Sequence, residues 1–386
     1  MEIYLDNNAT TRPLAAVAEA AGMCMAEGFA NPSSAHLAGR AARIKVEKAR
    51  EAVAALIGAP APTDIVFTSG GTESIAQVFA IARREAERRG NKPYIIHSSV
   101  EHAAVLDAAG RAAARGATVK RVTVDSHGNL NIDALGAALA VAPAGAFVFL
   151  MLANNETGVI FDIPQAAQLC HAHGAFLHVD AVQAAGKIAL SVERLGCDYL
   201  SLSAHKFHGI KGAGAIYMRR GYPCAPLIAG HQEGGLRGGT ENVPGIVAMG
   251  VAAKSVLENL EIDAGRVGAL RDRLEIGVKS AIPGAAINGV EARRLPNTTN
   301  IFFPRKDAAT LLERLSARGV YVSAGAACST GGQPSHVLRA MGQSEARANA
   351  SLRFSLSSFT TEEEIDAALT IVTEVVATSL DVFSHG

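Results

Sequence analysis

Five predicted strands each end in, or lead directly into, polar residues of the types that enzymes use to bind and activate small molecules. These residues are Ser69-Gly-Gly-Thr72, Val100-Glu-His102, Asn154-Asn-Glu-Thr-Gly158, Asp180 with Gln183, and Ser203 with His205 and Lys206. Because ligands of an open parallel sheet bind beyond the carboxyl ends of its strands, we expect these side chains to share one rim. A single polar residue at a strand end is usually a cap or a surface group. Convergence at five strand ends favours a binding site instead.

The glycines before Thr72 could bind an anion. Glycines followed by threonine at a helix N-terminus present free backbone N–H groups to negative charge. An ordinary strand-to-helix turn, with Thr72 as its cap, explains the same residues equally well. The Walker phosphate-binding pattern is excluded because no Gly-Lys-Ser/Thr follows.

Metal-ligand patterns are weak in this sequence. Cys170-His-Ala-His173 resembles a ligand cluster, but it lies inside a predicted helix with i, i+1 and i+3 spacing, and we disfavour a metal there. His205 and His208 flank Lys206, whose charge would repel a cation. His178 lies within a strand, where a hydrogen-bonded core histidine is the better interpretation. We therefore predict no metal site.

The composition excludes several classes of function. Among the 386 residues, 36 are Lys or Arg and 36 are Asp or Glu, so no basic excess attracts nucleic acid or an anionic membrane. Tryptophan is absent and aromatic residues are only 5%, which argues against a platform for stacking bases. The N-terminus lacks the regions of a signal peptide, and no run of about 18 apolar residues is evident. We expect a reduced, cytoplasmic protein with no membrane and no direct nucleic-acid partner.

The elements that must position the polar residues alternate between strand and helix. The predicted strands cover residues 65–69, 94–98, 118–124, 146–152, 175–180, 198–203 and 214–219. The predicted helices cover residues 72–89, 103–114, 132–140 and 163–173. This alternation is typical of βαβ units, so we predict an α/β domain with a mostly parallel sheet flanked by helices.

The pattern changes near residue 260, where we place a domain boundary. A predicted helix at 263–281 leads to strand, helix and strand patterns, followed by one more strand and a final helix. These last elements cover residues 298–303, 308–318, 320–323 and 351–356, and the final helix begins at Thr360-Thr-Glu-Glu-Glu364. We therefore predict a second, smaller α+β domain.

The polar motifs resemble, in order and spacing, those of NifS/IscS-type cysteine desulfurases of the class V aminotransferase group. Asp180 precedes Lys206 by 26 residues, as in fold-type I enzymes that use pyridoxal 5′-phosphate (PLP). The matching stretches are Tyr4-Leu-Asp-Asn-Asn-Ala-Thr-Thr11, Asn31-Pro-Ser-Ser-Ala-His36, Thr68-Ser-Gly-Gly-Thr-Glu-Ser74, Ser99-Val-Glu-His102, Asn154-Asn-Glu-Thr-Gly158, His178-Val-Asp-Ala-Val-Gln183, Ser203-Ala-His-Lys206, Gly234-Gly-Leu-Arg-Gly-Gly-Thr-Glu-Asn242, Ser323-Ala-Gly-Ala-Ala-Cys-Ser329 and Ser351-Leu-Arg-Phe-Ser355. The resemblance implies a large PLP-binding domain over 16–260. It also implies a small domain, made of 1–15 and 261–386, that carries Cys328 and Arg353.

The resemblance also implies a role for each residue at the rim. Lys206 would hold PLP covalently, Asp180 would pair with its ring nitrogen, and His102 would stack on the ring and move protons. The phosphate would be bound by Gly71, Thr72, Ser203 and His205, and by Thr240 from the partner of a homodimer. Asn155 and Gln183 would contact the cofactor, and Asn155 also the substrate. Arg353 would clamp the carboxylate of L-cysteine.

Cys328 distinguishes desulfurases from other class V enzymes. The five cysteines are odd in number, widely spaced and without a Cys-x-x-Cys pair, which fits neither a disulfide framework nor a zinc site. We interpret Cys24, Cys170, Cys197 and Cys224 as small core residues. Cys328 lies in a loop of small residues, and the resemblance makes it the thiolate that receives sulfur as a persulfide and releases alanine.

The loop after Cys328 is about one residue shorter than in IscS-type enzymes and lacks their Leu-Glu pair. The reach of the persulfide and the identity of its acceptor therefore stay open: an iron–sulfur scaffold, thiolated tRNA, phosphorothioated DNA or a cofactor pathway. The alternative enzymes are a selenocysteine lyase and another class V aminotransferase. A non-catalytic scaffold with a PLP fold is disfavoured, because Lys206, Asp180, His102, Cys328 and Arg353 are all present together.

Overall fold

The computed structural model describes residues 2–325 and 334–381. The strands, in chain order, are Ile3–Tyr4 (β1), Ile65–Thr68 (β2), Tyr94–Ser98 (β3), Thr118–Val122 (β4), Phe147–Met151 (β5), Phe176–Asp180 (β6), Tyr199–Ser203 (β7), Gly214–Met218 (β8), Ala286–Ile287 (β9), Thr298–Phe302 (β10), Val320–Tyr321 (β11) and Ser351–Ser355 (β12). The helices are Ala15–Ala26 (α1), Leu37–Leu56 (α2), Gly71–Arg88 (α3), Ala103–Ala114 (α4), Ile132–Ala140 (α5), Ile163–Ala172 (α6), Val192–Leu195 (α7), Val243–Ala281 (α8), Ala308–Ala317 (α9), His336–Ala340 (α10), Glu345–Ala348 (α11) and Glu362–Thr378 (α12).

Seven strands form the central sheet, in the order β2-β8-β7-β6-β5-β3-β4. The strands from β7 to β4 in this order are parallel to one another, whereas β8 is antiparallel to both of its neighbours. The predicted α/β fold with a mostly parallel sheet is confirmed. The seven predicted strands of this sheet all form, each within two residues of its predicted ends.

Helices cover both faces of the sheet, and the side chains of β5 show how the two faces are filled. Val148 and Leu150 belong to an apolar core that also contains residues of α2, α6 and α8. Phe147 and Phe149 point to the opposite face and pack in a core with residues of α3 and α4. Alternate residues of a strand face opposite sides of its sheet, so an all-apolar strand requires two cores.

A third apolar core lies in the C-terminal part of the chain. It combines β10, β12, α9 and α12 with Ile3 and Leu5 from the chain's first residues. β12, β10 and β9 form an antiparallel sheet, and β1 pairs in parallel with β11. The segment just after β1 therefore lies against β12, where Asp6 bridges to Ser355.

Helix α8 runs without interruption through residue 260, so the predicted helix start at residue 263 is wrong. Its first half, with Ile246 and Met249, packs in the core beneath the large sheet. Its second half, with Leu270 and Leu274, packs in the C-terminal core. One helix serves two cores, which the local sequence pattern does not reveal. The domain limits of 16–260 and of 1–15 with 261–386 stay a prediction.

By length and composition, α8 could also cross a membrane, which the sequence pattern did not indicate. However, 56% of its most apolar stretch is buried inside the protein, as expected for a core helix. The final helix, α12, begins with the expected capping box, in which Thr361 and Glu364 bond reciprocally to each other's backbone N–H groups.

Candidate active site

The carboxyl ends of β3, β5, β6 and β7 lie on one edge of the sheet, because these strands are parallel neighbours. This edge, which we call the rim, collects the predicted site residues that follow the strands. They are His102 after β3, Asn155 after β5, Asp180 and Gln183 at the end of β6, and Ser203, His205 and Lys206 at the end of β7. Amine, carboxylate, imidazole, hydroxyl and amide side chains together are typical of a site that binds a reactive small molecule.

Lys206 ends a short 3-10 turn, Ala204–Lys206, that follows β7 directly. Its Nζ donates to the backbone oxygen of Asn8 at 2.5 Å and to that of Ala9 at 2.8 Å. The Lys206 amine is therefore held against the segment between β1 and α1. The sequence analysis includes this segment only within a matching motif.

Asp180 is a buried carboxylate at the end of β6, with 6% of its surface exposed. Burial raises its pKa, and this rise is opposed by His102 and Lys206 nearby and by the backbone N–H of Val182 at 2.9 Å. A buried carboxylate is stable only beside a cationic or hydrogen-bonding partner. Asp180 therefore suits a ligand that offers a protonated nitrogen.

His102 caps the N-terminus of α4. Its Nδ1 accepts a hydrogen bond from the backbone N–H of Ala104 at 3.1 Å, so in the neutral ring the proton resides on Nε2. Burial lowers the pKa of His102, although the charge of Asp180 opposes this shift. Near neutral pH the imidazole of His102 is therefore uncharged and carries its proton on Nε2.

Glu101 directly precedes His102 in the chain and is fully buried. Burial raises its pKa to about 8, despite hydrogen bonds from the Ser98 hydroxyl at 2.5 Å and the Met151 N–H at 3.0 Å. The carboxyl of Glu101 is therefore protonated near neutral pH, and it adds little negative charge beside Asp180.

The N-terminus of α3 forms a cradle next to Ser203. A Cβ atom placed on Gly71 would stand only 2.7 Å from a methyl group of Val182, so this position has no room for a side chain. Ser203 is 4% exposed, and its Oγ lies close to Gly70. Because the first N–H groups of a helix have no intrahelical acceptor, the backbone at Gly71 and Thr72 suits an anion.

His205 lies next to the cradle, and its Nδ1 is 3.1 Å from the hydroxyl of Thr10. Burial and the neighbouring charge of Lys206 lower its pKa to about 4. His205 is therefore an uncharged hydrogen-bonding group near neutral pH.

Both the nitrogen and the oxygen of the Gln183 amide form hydrogen bonds with other protein groups. Its Nε2 donates to the Asn8 oxygen at 2.9 Å, and its Oε1 accepts from Lys187 Nζ at 2.9 Å. Lys187 also donates to Asn8 Oδ1 at 3.3 Å, and burial lowers its pKa well below the usual lysine value. The sequence analysis missed Lys187, although it lies four residues after Gln183.

Arg353, on β12, is 1% exposed and faces the rim from the C-terminal core. Its Nη2 donates to Asp6 Oδ1 at 2.5 Å, and its Nη1 donates to the backbone oxygen of Asn155 at 3.1 Å. Its buried Nε has no hydrogen-bond partner in the described part of the chain. The guanidinium is therefore oriented by Asp6, which the sequence analysis did not single out.

One described residue of the predicted site, Thr240, stands apart from this cluster. Thr240 is exposed, between the 3-10 turn Glu233–Gly235 and α8. Cys328 lies outside the described residues. At the start of the segment 334–381, the Ser335 hydroxyl donates to the carboxylate of buried Glu156 at 2.5 Å. The next residue, His336, has its Nε2 3.1 Å from the backbone oxygen of Glu101.

The residues first weighed as metal ligands have other contacts. His171 Nε2 lies 3.2 Å from Asp198, and His173 Nδ1 lies 2.9 Å from the Leu169 oxygen. Within residues 2–325 and 334–381, no group of three metal-ligating side chains converges.

The rim therefore contains the amine of Lys206, the buried carboxylate of Asp180, the neutral imidazole of His102 and the anion cradle at the start of α3. An amine suits an aldehyde, and a carboxylate suits a protonated ring nitrogen. The cradle suits a phosphate group. These residues therefore fit PLP, the cofactor expected from the resemblance.

Comparison with known proteins finds related enzymes over nearly the whole chain. The family model described as aminotransferase class V matches residues 3–368. A cysteine desulfurase of Cereibacter sphaeroides is 45% identical over 379 residues, which cover 97% of this chain and 95% of the relative. The cysteine desulfurase NifS of Azotobacter vinelandii is 41% identical over 378 residues, or 97% and 93% of the two chains.

Solved structures give the same result. A NifS-like protein is 39% identical and superposes with a TM-score of 0.90, covering 98% of this chain and all of the other. A structure described as SspA in complex with cysteine is 33% identical with a TM-score of 0.81, covering 93% of this chain and all of the other.

Proposed function

Because the chain belongs to the class V aminotransferase family, as a cysteine desulfurase that uses PLP, we propose that Cys328 receives the sulfur of L-cysteine as a persulfide. The relatives' activity does not favour the selenocysteine lyase, the aminotransferase or the scaffold. The observation that carries the residue assignment is the meeting of Lys206, Asp180 and His102 at one rim. The persulfide assignment comes from the resemblance, in which Cys328 occupies the position of the sulfur-accepting thiol.

Single turnover with sulfur-labelled cysteine tests this assignment. We expect one alanine released per labelled site, and peptide mapping should find the label on Cys328 and on none of the other four cysteines. Cys224 is exposed, unlike the buried Cys24, Cys170 and Cys197, so its prediction as a core residue is wrong and its thiol serves as the internal control. Label on Cys224, or alanine release without any bound label, would overturn the role of Cys328.

The cofactor would be held by groups with distinct tasks. Lys206 would hold it covalently, Asp180 would pair with the ring nitrogen, and Gly71, Thr72, Ser203 and His205 would bind the phosphate. When bound, PLP supplies an electron-withdrawing ring that weakens bonds at the substrate's α-carbon. Asn155, in the segment that follows β5, would contact the cofactor and the substrate. Gln183, whose amide is engaged by Asn8 and Lys187, would act from the edge of the site.

The protein groups orient the substrate and move its protons. In its neutral form His102 carries its proton on Nε2, so at that atom it can donate a hydrogen bond or give the proton, and it would take a proton there only after giving this one. The depressed pKa of His205 keeps a second imidazole neutral beside the cradle. Burial of Asp180 and Arg353 excludes water from their charges, which strengthens both interactions with the substrate complex.

Arg353 is proposed to bind the substrate's carboxylate. We expect Arg353→Lys to raise the Michaelis constant for cysteine by about tenfold, because lysine cannot form the two parallel hydrogen bonds of a guanidinium. The absorption spectrum of the bound cofactor should stay nearly unchanged. Steady-state kinetics with cysteine measure this effect.

Arg273→Lys is the matched control, since Arg273 pairs with Asp366 on the protein surface, outside the C-terminal core. This substitution should leave the Michaelis constant for cysteine unchanged. An unchanged Michaelis constant in Arg353→Lys would show that Arg353 is not the clamp.

We propose a homodimer in which Thr240 completes the phosphate cradle of the partner subunit. This proposal is supported by the exposure of Thr240 in the single chain and by its place in the matching glycine-rich motif. An isologous interface would place two such loops symmetrically. We expect Thr240→Val to bind PLP about tenfold more weakly while sedimenting as the same dimer as the unmodified protein.

Sedimentation and cofactor titration measure these two properties. A fully active monomer at the assay concentration would contradict the dimeric site. Unchanged PLP affinity in Thr240→Val would contradict the role of Thr240 alone.

We further propose a cytoplasmic enzyme that passes its sulfur to an acceptor protein, such as an iron–sulfur scaffold. Equal numbers of acidic and basic residues provide no overall attraction to nucleic acid, which favours a protein as the direct acceptor. The four described cysteines are free thiols, as in a reducing compartment. Following labelled persulfide sulfur into co-purifying proteins would identify the acceptor.

A further inference from the structure

Asn8 is a buried residue that the sequence analysis recorded only within a matching motif. It is 1% exposed, and it lies in the short segment between β1 and α1. Its backbone oxygen accepts from Lys206 Nζ at 2.5 Å and from Gln183 Nε2 at 2.9 Å. The main chain of Asn8 therefore contacts the lysine side of the rim.

The side chain of Asn8 reaches both parts of the protein. Its Nδ2 donates to the Asn155 oxygen at 3.1 Å and to the Thr298 hydroxyl at 2.9 Å. Its Oδ1 accepts from Asn297 Nδ2 at 3.1 Å and from Lys187 Nζ at 3.3 Å. Asn155 and Lys187 lie in segments that follow strands of the large sheet, whereas Asn297 and Thr298 lie at the start of β10, so the amide joins the two parts.

Asn8 is also linked to Arg353. The Asn155 oxygen that accepts from Asn8 accepts from Arg353 Nη1 as well, at 3.1 Å. The Asn8 backbone N–H donates to Ser355 Oγ at 2.9 Å, two residues beyond Arg353 on β12. Asp6, two residues before Asn8, binds the same guanidinium. The segment thus connects the lysine and the arginine through hydrogen bonds and the Asp6–Arg353 ion pair.

We propose that Asn8 is a positioning residue that sets the place of Arg353 relative to Lys206. This inference rests on the proposed role of Arg353 as the carboxylate clamp. An amino acid must reach both groups at once, with its nitrogen at the lysine position and its carboxylate at the arginine. The two groups belong to different cores, so their separation depends on the contacts between those cores. Small errors in such a separation reduce binding and rate strongly.

Replacement of Asn8 by alanine tests the proposal, and the product L-alanine and ethylamine serve as matched probes. Ethylamine is alanine without its carboxylate, and neither probe requires sulfur transfer. Their binding to the PLP-loaded dimer is measured from the absorbance change of the cofactor. We expect Asn8→Ala to bind alanine about tenfold more weakly and ethylamine unchanged, so the preference for the carboxylate falls about tenfold.

Asn7→Ala is the matched control. Asn7 is adjacent and equally buried, at 2% exposed, but its amide donates to the backbone oxygens of Tyr4 and Ser355. Thermal unfolding of the cofactor-free proteins should show a similar loss of stability in both variants. Only Asn8→Ala should lose the preference for alanine. Asn8→Ser, whose shorter side chain cannot span the same partners, provides a second variant with the same expected loss if Asn8→Ala folds poorly.

The outcomes separate this proposal from the one on which it rests. If Arg353→Lys keeps the full preference for alanine over ethylamine, the clamp assignment fails. If Arg353→Lys loses the preference but both Asn8 variants keep it, only the role of Asn8 is overturned. An equal loss in Asn7→Ala would also overturn it, because general loosening of the segment would then explain the result.

Discussion

Replacing Lys206 by alanine should remove the absorption of the lysine-linked cofactor and reduce desulfurase turnover on the order of a thousandfold or more. The reason is chemical, since Lys206 is the amine that the rim places beside Asp180, and alanine offers no nucleophile to hold an aldehyde. The unmodified protein should be yellow, and borohydride should bleach it by fixing the cofactor to its lysine. Absorbance, alanine assays and peptide mapping of the reduced protein measure these effects.

The control for this prediction is Lys254→Ala, which removes an exposed lysine of α8 and should keep both the colour and the activity. Lys187 is the informative competitor, because it is another half-buried amine near the rim. Mapping should find the reduced cofactor on Lys206 alone. A cofactor fixed to Lys187, or an unmodified protein that stays colourless after incubation with PLP, would contradict the assignment.

Replacing Cys328 by alanine should abolish alanine release from cysteine while preserving the yellow colour and the binding of cysteine. Cleavage of the carbon–sulfur bond requires a nucleophile that takes the sulfur, and Cys328 is the proposed thiolate. A selenolate is a better leaving group than a thiolate. The same variant should therefore retain part of its activity on selenocysteine. Alanine formation from each substrate, measured in parallel, gives both results.

The other cysteines provide the controls for Cys328. Burial, together with the charge of Asp198, raises the pKa of Cys170 to about 12, and the same causes raise the pKa of Cys197. These thiols are protonated near neutral pH and cannot replace the nucleophile. Cys224→Ala removes an exposed thiol and should release alanine at the unmodified rate. If Cys328→Ala also did so, the persulfide mechanism would be wrong and the lyase alternative would be restored.

The sequence by itself determined the large sheet and most of the rim. The strands of the central sheet are short apolar runs bounded by polar residues, and that pattern is local. Once the strands are parallel neighbours, their carboxyl ends meet at one edge whatever the details of packing. The positions of His102, Asp180 and Lys206 at a shared rim therefore followed from topology alone.

The tertiary structure decided how the two cores meet. The local pattern does not reveal three features of this meeting. Helix α8 continues through residue 260, Asp6 orients Arg353, and Asn8 joins the Lys206 side to β12. Asp6 and Asn8 lie more than 340 residues before their β12 partners. A hydrogen bond over such a separation leaves no periodic trace in the chain, because its geometry depends on the packing of every element between. The strand pattern therefore predicts which groups meet at the rim, the resemblance implies their roles, and only the assembled cores fix the distances between them.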